Sequence, residues 1–192
     1  MNVIATVGLP GSGKSEAATV ARDLEVPVVT MGDVIRAECR DRGLDPAEHH
    51  GRIARALREE NGPDAIAARS LPLIEAALED SDTVLVDGVR SGVEVERFEE
   101  AFGDDFTLVS IEAPSELRAK RVTSRGRDKT AGEGGEDLAD RDERELGFGM
   151  GEAMDRADAV VENVGTLPEF HEKVRRLLVE RLGVEPPSVE EA

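Results

Sequence analysis

Residues 8–15 carry the pattern with the most specific chemical meaning in this chain. They read Gly-Leu-Pro-Gly-Ser-Gly-Lys-Ser and fit G-x-x-x-x-G-K-[ST]. In such a loop the glycines let backbone N–H groups surround phosphate oxygens, and the helix that follows adds its partial positive charge. Lys14 would reach the β- and γ-phosphates of a nucleotide. The predicted nucleotide-binding residues are Gly8, Leu9, Pro10, Gly11, Ser12, Gly13, Lys14 and Ser15.

A phosphate loop also needs a carboxylate near a metal ion, at the end of a neighbouring strand. Asp87 closes the apolar run Thr83–Val86, and with the Ser15 hydroxyl it is the predicted Mg²⁺ ligand. The alternative is a strand-end Asp that caps the next helix. Glu94 and Glu96 are expected on a solvated helix face, so no base for activating water is evident. That argues mildly against a dedicated hydrolase.

Two short segments could hold a second anionic molecule, the acceptor of a phosphoryl group. Asp33 and Arg36 share a helix face because they are three residues apart, and the Arg36 guanidinium could clamp a phosphate bidentately. Arg90 follows Asp87 by three residues and would be a second clamp. The alternatives are a surface ion pair for the first segment and a surface arginine for the second. The predicted acceptor-binding residues are Gly32, Asp33, Arg36, Gly88 and Arg90.

A concentrated basic run begins at Arg118. Six of the chain's 24 basic residues fall within twelve positions, although the formal net charge is −18. Arg118, Arg121 and Arg125 are spaced i, i+3, i+7 and would form one helical stripe leading into a loop. Arginines on a closing loop would stabilise a transferring phosphoryl group, whereas a solvated cationic face is the alternative. The predicted catalytic residues are Lys14, Arg90, Arg121, Arg125 and Arg141.

Short apolar runs alternate with helical periodicity, which predicts an α/β fold with a parallel sheet between helices. We expect one domain over residues 1–183, with a helical insert at about 31–80 and a short lid at about 125–141. Residues 184–192 would be an acidic tail. Single helices are predicted over Arg141–Arg156 and Leu167–Leu182. The predicted strands are Val3–Val7, Pro27–Val29, Thr83–Asp87, Phe106–Ile111 and Ala159–Val161.

The charge of −18 comes from 42 acidic and 24 basic residues. Binding of cations or basic partners is one interpretation. We favour a cytosol of very high salt, because the acids are spread along the whole chain and salt at 1 M screens charges beyond about 3 Å. Such a charge would repel phosphate backbones, so a nucleic-acid partner is disfavoured.

The remaining composition favours a cytoplasmic protein. Cys39 is the single cysteine, so an intrachain disulfide is impossible, and we expect it to be a small buried helix residue. No apolar stretch has the length of a membrane span, and the N-terminus lacks the basic flank of a signal peptide. His49, His50 and His171 have no partners at metal-ligand spacing and are interpreted as structural.

The ordered motifs of residues 8–15, 31–36 and 87–90, with the arginines around 118–127, resemble adenylate kinase and its nucleoside-monophosphate-kinase relatives. The segment 157–165 is similar to the corresponding part of dephospho-coenzyme A kinases. Over about residues 2–182, the chain most resembles an archaeal, and by its composition haloarchaeal, family of adenylate-kinase-like P-loop proteins of unassigned reaction.

This resemblance implies a P-loop NTPase fold with a five-stranded parallel sheet of order 2-3-1-4-5. It also implies that Arg121 and Arg125 lie by the ATP phosphates or base, and that Asn163 and Gly165 line the adenine. Met31 stands where adenylate kinases usually carry Thr, which puts AMP selectivity in doubt. The predicted lid lacks a Cys cluster, which excludes a zinc-bound lid.

The leading hypothesis is ATP- and Mg²⁺-dependent phosphoryl transfer to a small acceptor, with a nucleoside monophosphate as the first candidate. Dephospho-coenzyme A is a second possible acceptor, supported by the C-terminal pattern. A third hypothesis is a regulatory ATPase that binds a macromolecular partner through an ATP-closed lid. The two clamp arginines, Arg36 and Arg90, favour a small-molecule kinase over that ATPase.

Overall fold

Five apolar runs form the strands of one parallel sheet. The computed structural model describes residues 1–124 and 138–184. The strand order is β2-β3-β1-β4-β5, which confirms the predicted order and fold class. In the central pairing, Thr6 lies beside Asp87, so the carboxyl ends of β1 and β3 meet at one edge. The strands are β1 (Asn2–Val7), β2 (Val28–Thr30), β3 (Thr83–Asp87), β4 (Phe106–Glu112) and β5 (Ala159–Glu162).

Helices cover both faces of this sheet. Strand β1 is buried from Val3 to Val7, as expected of a central parallel strand with two covered faces. One core cluster lies on the side of Phe98 and Leu57, and the other on the side of Phe170. The helices are α1 (Lys14–Asp23), α2 (Met31–Asp41), α3 (Pro46–Asn61), α4 (Ala65–Glu79), α5 (Gly92–Phe102), α6 (Ser115–Ser124), α7 (Leu138–Gly147), α8 (Met150–Asp155) and α9 (Leu167–Arg176).

Helices α2, α3 and α4 occupy the region predicted as the insert, between β2 and β3. Asp45 caps α3 by accepting a hydrogen bond from the Ala47 N–H at 2.9 Å, and Pro46 begins the helix. Cys39 of α2 is fully buried in the first core cluster, as predicted for a small helix residue. The three helices therefore pack on the main core through their apolar faces.

Two predicted helices differ in the structure. The single helix over Arg141–Arg156 is wrong, because α7 ends at Gly147 and α8 begins at Met150 after Gly149, whose φ of 96° is left-handed. The last predicted helix is α-helical only as far as Arg176 and continues as a π turn over Leu177–Arg181.

Parts of two predicted segments lie outside the described residues. They are residues 125–137 of the predicted lid, including Arg125, and residues 185–192 of the predicted tail. Across 1–124 and 138–184, no helix combines the length and the apolar character needed to cross a membrane.

Candidate active site

The phosphate loop connects β1 to α1 through glycines that other residues could not replace. Gly8 has φ 150°, and a Cβ there would collide with the carbonyl oxygen of Ile111. Gly13, just before α1, has φ 121°, and its Cβ would collide with the side-chain amide of Asn163. Because both positions combine a positive φ with close neighbours, the loop geometry depends on glycine.

Lys14 folds back over the loop that precedes it. Its Nζ donates hydrogen bonds to the carbonyls of Gly8 and Leu9, the second at 3.4 Å. Burial lowers the pKa of Lys14 to about 8, and the nearby carboxylate of Asp87 opposes that decrease. The ammonium is thus a partly desolvated charge whose state depends on its anionic neighbours.

The predicted Mg²⁺ ligands lie at the ends of neighbouring elements. Asp87 ends β3 and accepts a hydrogen bond from Thr6 Oγ1 at 3.3 Å. Ser15 is exposed in the first turn of α1. A carboxylate and a hydroxyl are hard oxygen donors of the kind that Mg²⁺ prefers, so this pair of residues fits the ion.

Asn163 braces the phosphate loop from the end of β5. It is 4% exposed, and its Nδ2 donates to the carbonyl of Ser12 at 2.8 Å. Its backbone N–H donates to the carbonyl of Glu112 at 2.7 Å. Its carbonyl and side-chain oxygens accept hydrogen bonds from Arg121 Nη2 at 3.1 and 3.0 Å. Two residues that the resemblance places by the nucleotide are therefore in direct contact.

Arg118 is a buried support of the same loop. The residue is 5% exposed, and its guanidinium makes two hydrogen bonds of 2.7 Å to the Asp142 carboxylate. It also donates to the carbonyls of Pro10 and Ala113, at 3.2 and 3.0 Å. The two described arginines of the predicted stripe therefore make different contacts. Arg118 links the phosphate loop to α7, whereas Arg121 contacts Asn163.

One cavity of about 380 Å³ runs from the phosphate loop to the insert. Its wall brings together residues that are far apart in the sequence and that were predicted to bind the nucleotide, the metal ion and the acceptor. Gly32 lines its wall, whereas the next residue of α2, Asp33, does not. The predicted site residues in this wall are Gly8, Pro10, Lys14, Gly32, Arg36, Asp87, Gly88, Arg90 and Arg141.

Among the described residues, the predicted site residues outside this wall are Leu9, Gly11, Ser12, Gly13, Ser15, Asp33, Arg121, Asn163 and Gly165. Asp33 points to Arg36 within α2, with hydrogen bonds of 2.9 and 2.6 Å, and its side chain is 61% exposed. Gly165 lies against Glu169 in the capping turn of α9. Arg121 contacts Asn163 beside the phosphate loop and does not line the cavity wall.

The expectation that Glu94 lies on a solvated helix face is wrong. This residue is fully buried, not solvated: Oε1 accepts from Arg58 Nη2 and Oε2 from the Arg90 backbone N–H, both at 2.9 Å. Its helix spacing with Val95 and Phe98, which are also buried, is the signal that could have placed it on the inner face of α5. Glu96 does lie on the exposed side, paired with Arg156 at 2.8 Å.

Sequence reasoning also missed His50 as a site residue. It is half-buried in the cavity wall, and burial, followed by the positive charges of Arg90 and Arg36, lowers its pKa. It shares one face of α3 with the buried Ile53 and Leu57, and that periodicity could have indicated its inward position. Glu145 of α7, 4% exposed in the same wall, had no comparable signal because it stands among other charged residues.

The fold and the phosphate loop define a P-loop kinase-like domain. A family model described as "AAA domain" matches residues 7–134. A "UPF0200 protein" of Halobacterium salinarum is 62% identical over 178 residues, which are 93% of each chain. One from Methanothrix thermoacetophila is 48% identical over 183 residues, 94% of this chain and 98% of its own. The chain therefore belongs to the UPF0200 family, with haloarchaeal and other archaeal relatives.

Solved structures with the same fold are more distant in sequence. A dephospho-CoA kinase from Campylobacter jejuni has a TM-score of 0.61 at 14% identity, covering 94% of this chain and 96% of its own. A shikimate kinase from Bacteroides thetaiotaomicron has a TM-score of 0.60 at 17% identity, covering 94% and 98%. At such identities these likenesses establish the fold alone.

Proposed function

We propose that this protein transfers the γ-phosphoryl group of ATP to a small acceptor, with a nucleoside monophosphate as the first candidate. The observation that carries the proposal is one cavity whose wall contains Lys14 and Asp87 together with Arg36 and Arg90. A dedicated hydrolase needs only the first pair. Two further arginines in the same wall give a second anion a place beside the donor phosphates.

The donor side binds and orients ATP. The loop amides and Lys14 hold its phosphates, and phosphate oxygens would replace the carbonyls that Lys14 now contacts. Bound Mg²⁺, held by Ser15 and Asp87, would neutralise charge on the phosphates. Asn163 and Arg118 keep the loop in place through Ser12 and Pro10.

The acceptor side positions the nucleophile. Arg36 and Arg90 would hold the acceptor's own phosphate, which fixes its attacking oxygen in line with the γ-phosphorus. Arg141, in the cavity wall, would stabilise charge on the transferring group, and Arg121 and Arg125 are further candidates for that role. Because phosphoryl transfer needs little covalent chemistry from the protein, positioning and charge supply most of the catalysis.

The other candidates differ in what enters the cavity. Dephospho-coenzyme A is the acceptor suggested by the sequence of residues 157–165 and by the name of one structural neighbour. A regulatory ATPase acting on a macromolecular partner would leave Arg36 and Arg90 without an acceptor to bind. The same assay separates all three.

The test is a γ-labelled ATP transfer assay in molar KCl with Mg²⁺. It offers the nucleoside monophosphates, dephospho-coenzyme A and shikimate in separate reactions, with Lys14→Ala as the control. Rapid labelling of a nucleoside monophosphate, lost in Lys14→Ala, is the expected result. Labelling of dephospho-coenzyme A alone would change the acceptor, and hydrolysis without any labelled acceptor would favour the partner-regulated ATPase.

A further inference from the structure

Phe148 is an exposed aromatic residue in a chain that has very few aromatics. The sequence contains five Phe and neither Trp nor Tyr. Phe98, Phe106 and Phe170 are at most 9% exposed, whereas Phe148 is 45% exposed. Single exposed apolar side chains are common on protein surfaces, so the position of this ring beside the site, and not its exposure alone, is informative.

A tight turn fixes the position of Phe148. Its backbone N–H donates to the carbonyls of Arg144 and Glu145 at 3.1 and 3.2 Å, at the end of α7. The next residue, Gly149, takes a left-handed conformation and lies against Ser91, just after Arg90. The ring is therefore presented from a turn that packs against the acceptor end of the site.

A second cavity, of about 570 Å³, is bounded by Phe148. It lies beside the first cavity and shares five wall residues with it. A ligand whose phosphate lies at Arg90 could thus extend past His50 into the second cavity. The shared residues are Ile35, His50, Arg58, Arg90 and Arg144.

The walls of the second cavity combine apolar side chains with charged ones, among them Arg55 and Glu59. Phe148, Ile35, Ala54 and Pro63 supply apolar surface. The Arg58 guanidinium carbon is 5.9 Å from the Phe148 ring centroid, a stacking distance for a cation over a ring. Aromatic rings and guanidinium planes are the groups on which proteins stack nucleobases.

We propose that Phe148 stacks on the base of the acceptor, which makes the acceptor a base-bearing nucleotide and not a small hydroxy acid. The inference rests on the proposed function and deepens it, because it assigns the non-reacting part of the acceptor to the second cavity. Phe148 comes from the α7–α8 turn, outside every segment that the sequence motifs marked.

The absence of Trp and Tyr from the chain allows a direct binding test. Phe148→Trp introduces a single tryptophan, whose emission reports stacking of a base against it. The variant is titrated in molar KCl with AMP, GMP, CMP and UMP, and with ribose 5-phosphate, which keeps the phosphate and sugar but lacks the base. We expect quenching by at least one nucleoside monophosphate and little change with ribose 5-phosphate.

Leu146→Trp is the matched control. Leu146 is 49% exposed on α7, two residues away, and lines neither cavity. Its tryptophan should respond to none of the ligands. Calorimetric titration of Phe148→Ala supplies a second measurement: the responding nucleotide should bind roughly tenfold more weakly than to wild type, while ribose 5-phosphate binds equally to both.

Three outcomes would overturn the inference. One is equal quenching by ribose 5-phosphate and by the nucleotides, and another is unchanged nucleotide affinity in Phe148→Ala. The third is emission that depends on protein concentration without ligand, which would mean that a second copy of the chain covers the ring. Quenching by a nucleotide, together with no phosphoryl transfer in the labelled-ATP assay, would contradict the proposed function. It would still support a base-binding site at Phe148.

Discussion

Arg90 Nη1 donates a hydrogen bond of 2.8 Å to Glu145 Oε1, across 55 positions of the sequence. Glu145 is 4% exposed, and within residues 1–124 and 138–184 its second carboxylate oxygen has no hydrogen-bond partner. A buried carboxylate is costly unless paired, so this contact fixes one guanidinium nitrogen of Arg90. The other nitrogens can then bind an acceptor. Since Glu145 lies on α7, the contact also links the loop between β3 and α5 to the helix that follows the predicted lid.

Neutralising this carboxylate should affect the acceptor more than ATP. In Glu145→Gln the amide keeps the shape of the side chain but not its charge, so Arg90 is held less firmly. We expect the acceptor KM to rise about tenfold, consistent with loss of one charged hydrogen bond, and the ATP KM to change less than about twofold. Steady-state kinetics with each substrate varied in turn provide the measurement. Glu143→Gln, an exposed neighbour on α7, is the control.

The variant Glu145→Asp tests whether Glu145 positions the Arg90 side chain or only stabilises the fold. If the carboxylate positions Arg90, the shorter acid should restore part of the acceptor KM. Equal increases in both KM values, with a lower melting temperature in every variant, would show that Glu145 only supports the fold.

Arg36→Ala should impair acceptor use while leaving ATP binding near normal. Arg36 lines the cavity, and its partner Asp33 is a surface residue on the same helix, so the fold should lose little stability. Removing a charged contact to phosphate predicts roughly a tenfold to hundredfold rise in acceptor KM. Arg40→Ala, an exposed arginine of the same helix, is the matched control. Equal loss of ATP binding would contradict the division into donor and acceptor ends.

Lys14 should give the protein a measurable pH dependence. Its pKa falls from 10.5 to about 8 on folding, so between these values the unfolded chain binds more protons. The contribution of this group to stability therefore increases as pH rises from about 8 towards 10.5. Without nucleotide, wild type should gain stability relative to Lys14→Met across that range, measured by chemical denaturation. A constant difference would indicate that burial does not perturb Lys14.

Much of the fold was predictable because it rests on local patterns. The apolar runs predict β1 and β3, and the loop between β1 and α1 predicts the role of Lys14. The strand order that brings Lys14 and Asp87 to one edge of the sheet was implied by the family resemblance. Three residues of the cavity wall, His50, Glu94 and Glu145, were not predicted as site residues. The arginines that pair with Glu94 and Glu145 come near them only through tertiary packing. Charged residues in an acid-rich chain resemble solvated surface until those partners are known.

Asn163→Ala should destabilise the phosphate loop, which the Asn163 side chain contacts directly. The change removes the donor to the Ser12 carbonyl and the side-chain acceptor of Arg121, in a buried setting. Leaving a buried carbonyl unpaired costs about 1–3 kcal/mol, so both the melting temperature and ATP affinity should fall. Val160→Ala, at an exposed position of β5, should alter neither quantity. Thermal unfolding with and without ATP distinguishes the two variants. An unchanged ATP affinity in Asn163→Ala would argue that Asn163 does not hold the phosphate loop in its binding geometry.

Salt should stabilise this protein, although it weakens individual ion pairs. Contacts such as Arg42 with Glu60 at 2.7 Å and Arg156 with Glu99 at 2.6 Å lie on the surface, where such pairs contribute about 0–1 kcal/mol. The opposing effect is the repulsion within a chain of net charge −18, which is long-range and which salt at 1 M screens to about 3 Å.

We therefore expect the melting temperature to rise as KCl increases from about 0.1 M, where the Debye length is about 10 Å, to about 1 M, where it is about 3 Å. Sorbitol at equal osmolality screens no charge, so it should reproduce little of the increase. Salt weakens both the attraction within surface ion pairs and the repulsion within the acidic chain, and the melting temperature reports the difference between these two effects. A melting temperature that falls with KCl would therefore mean that the ion pairs contribute more than the repulsion.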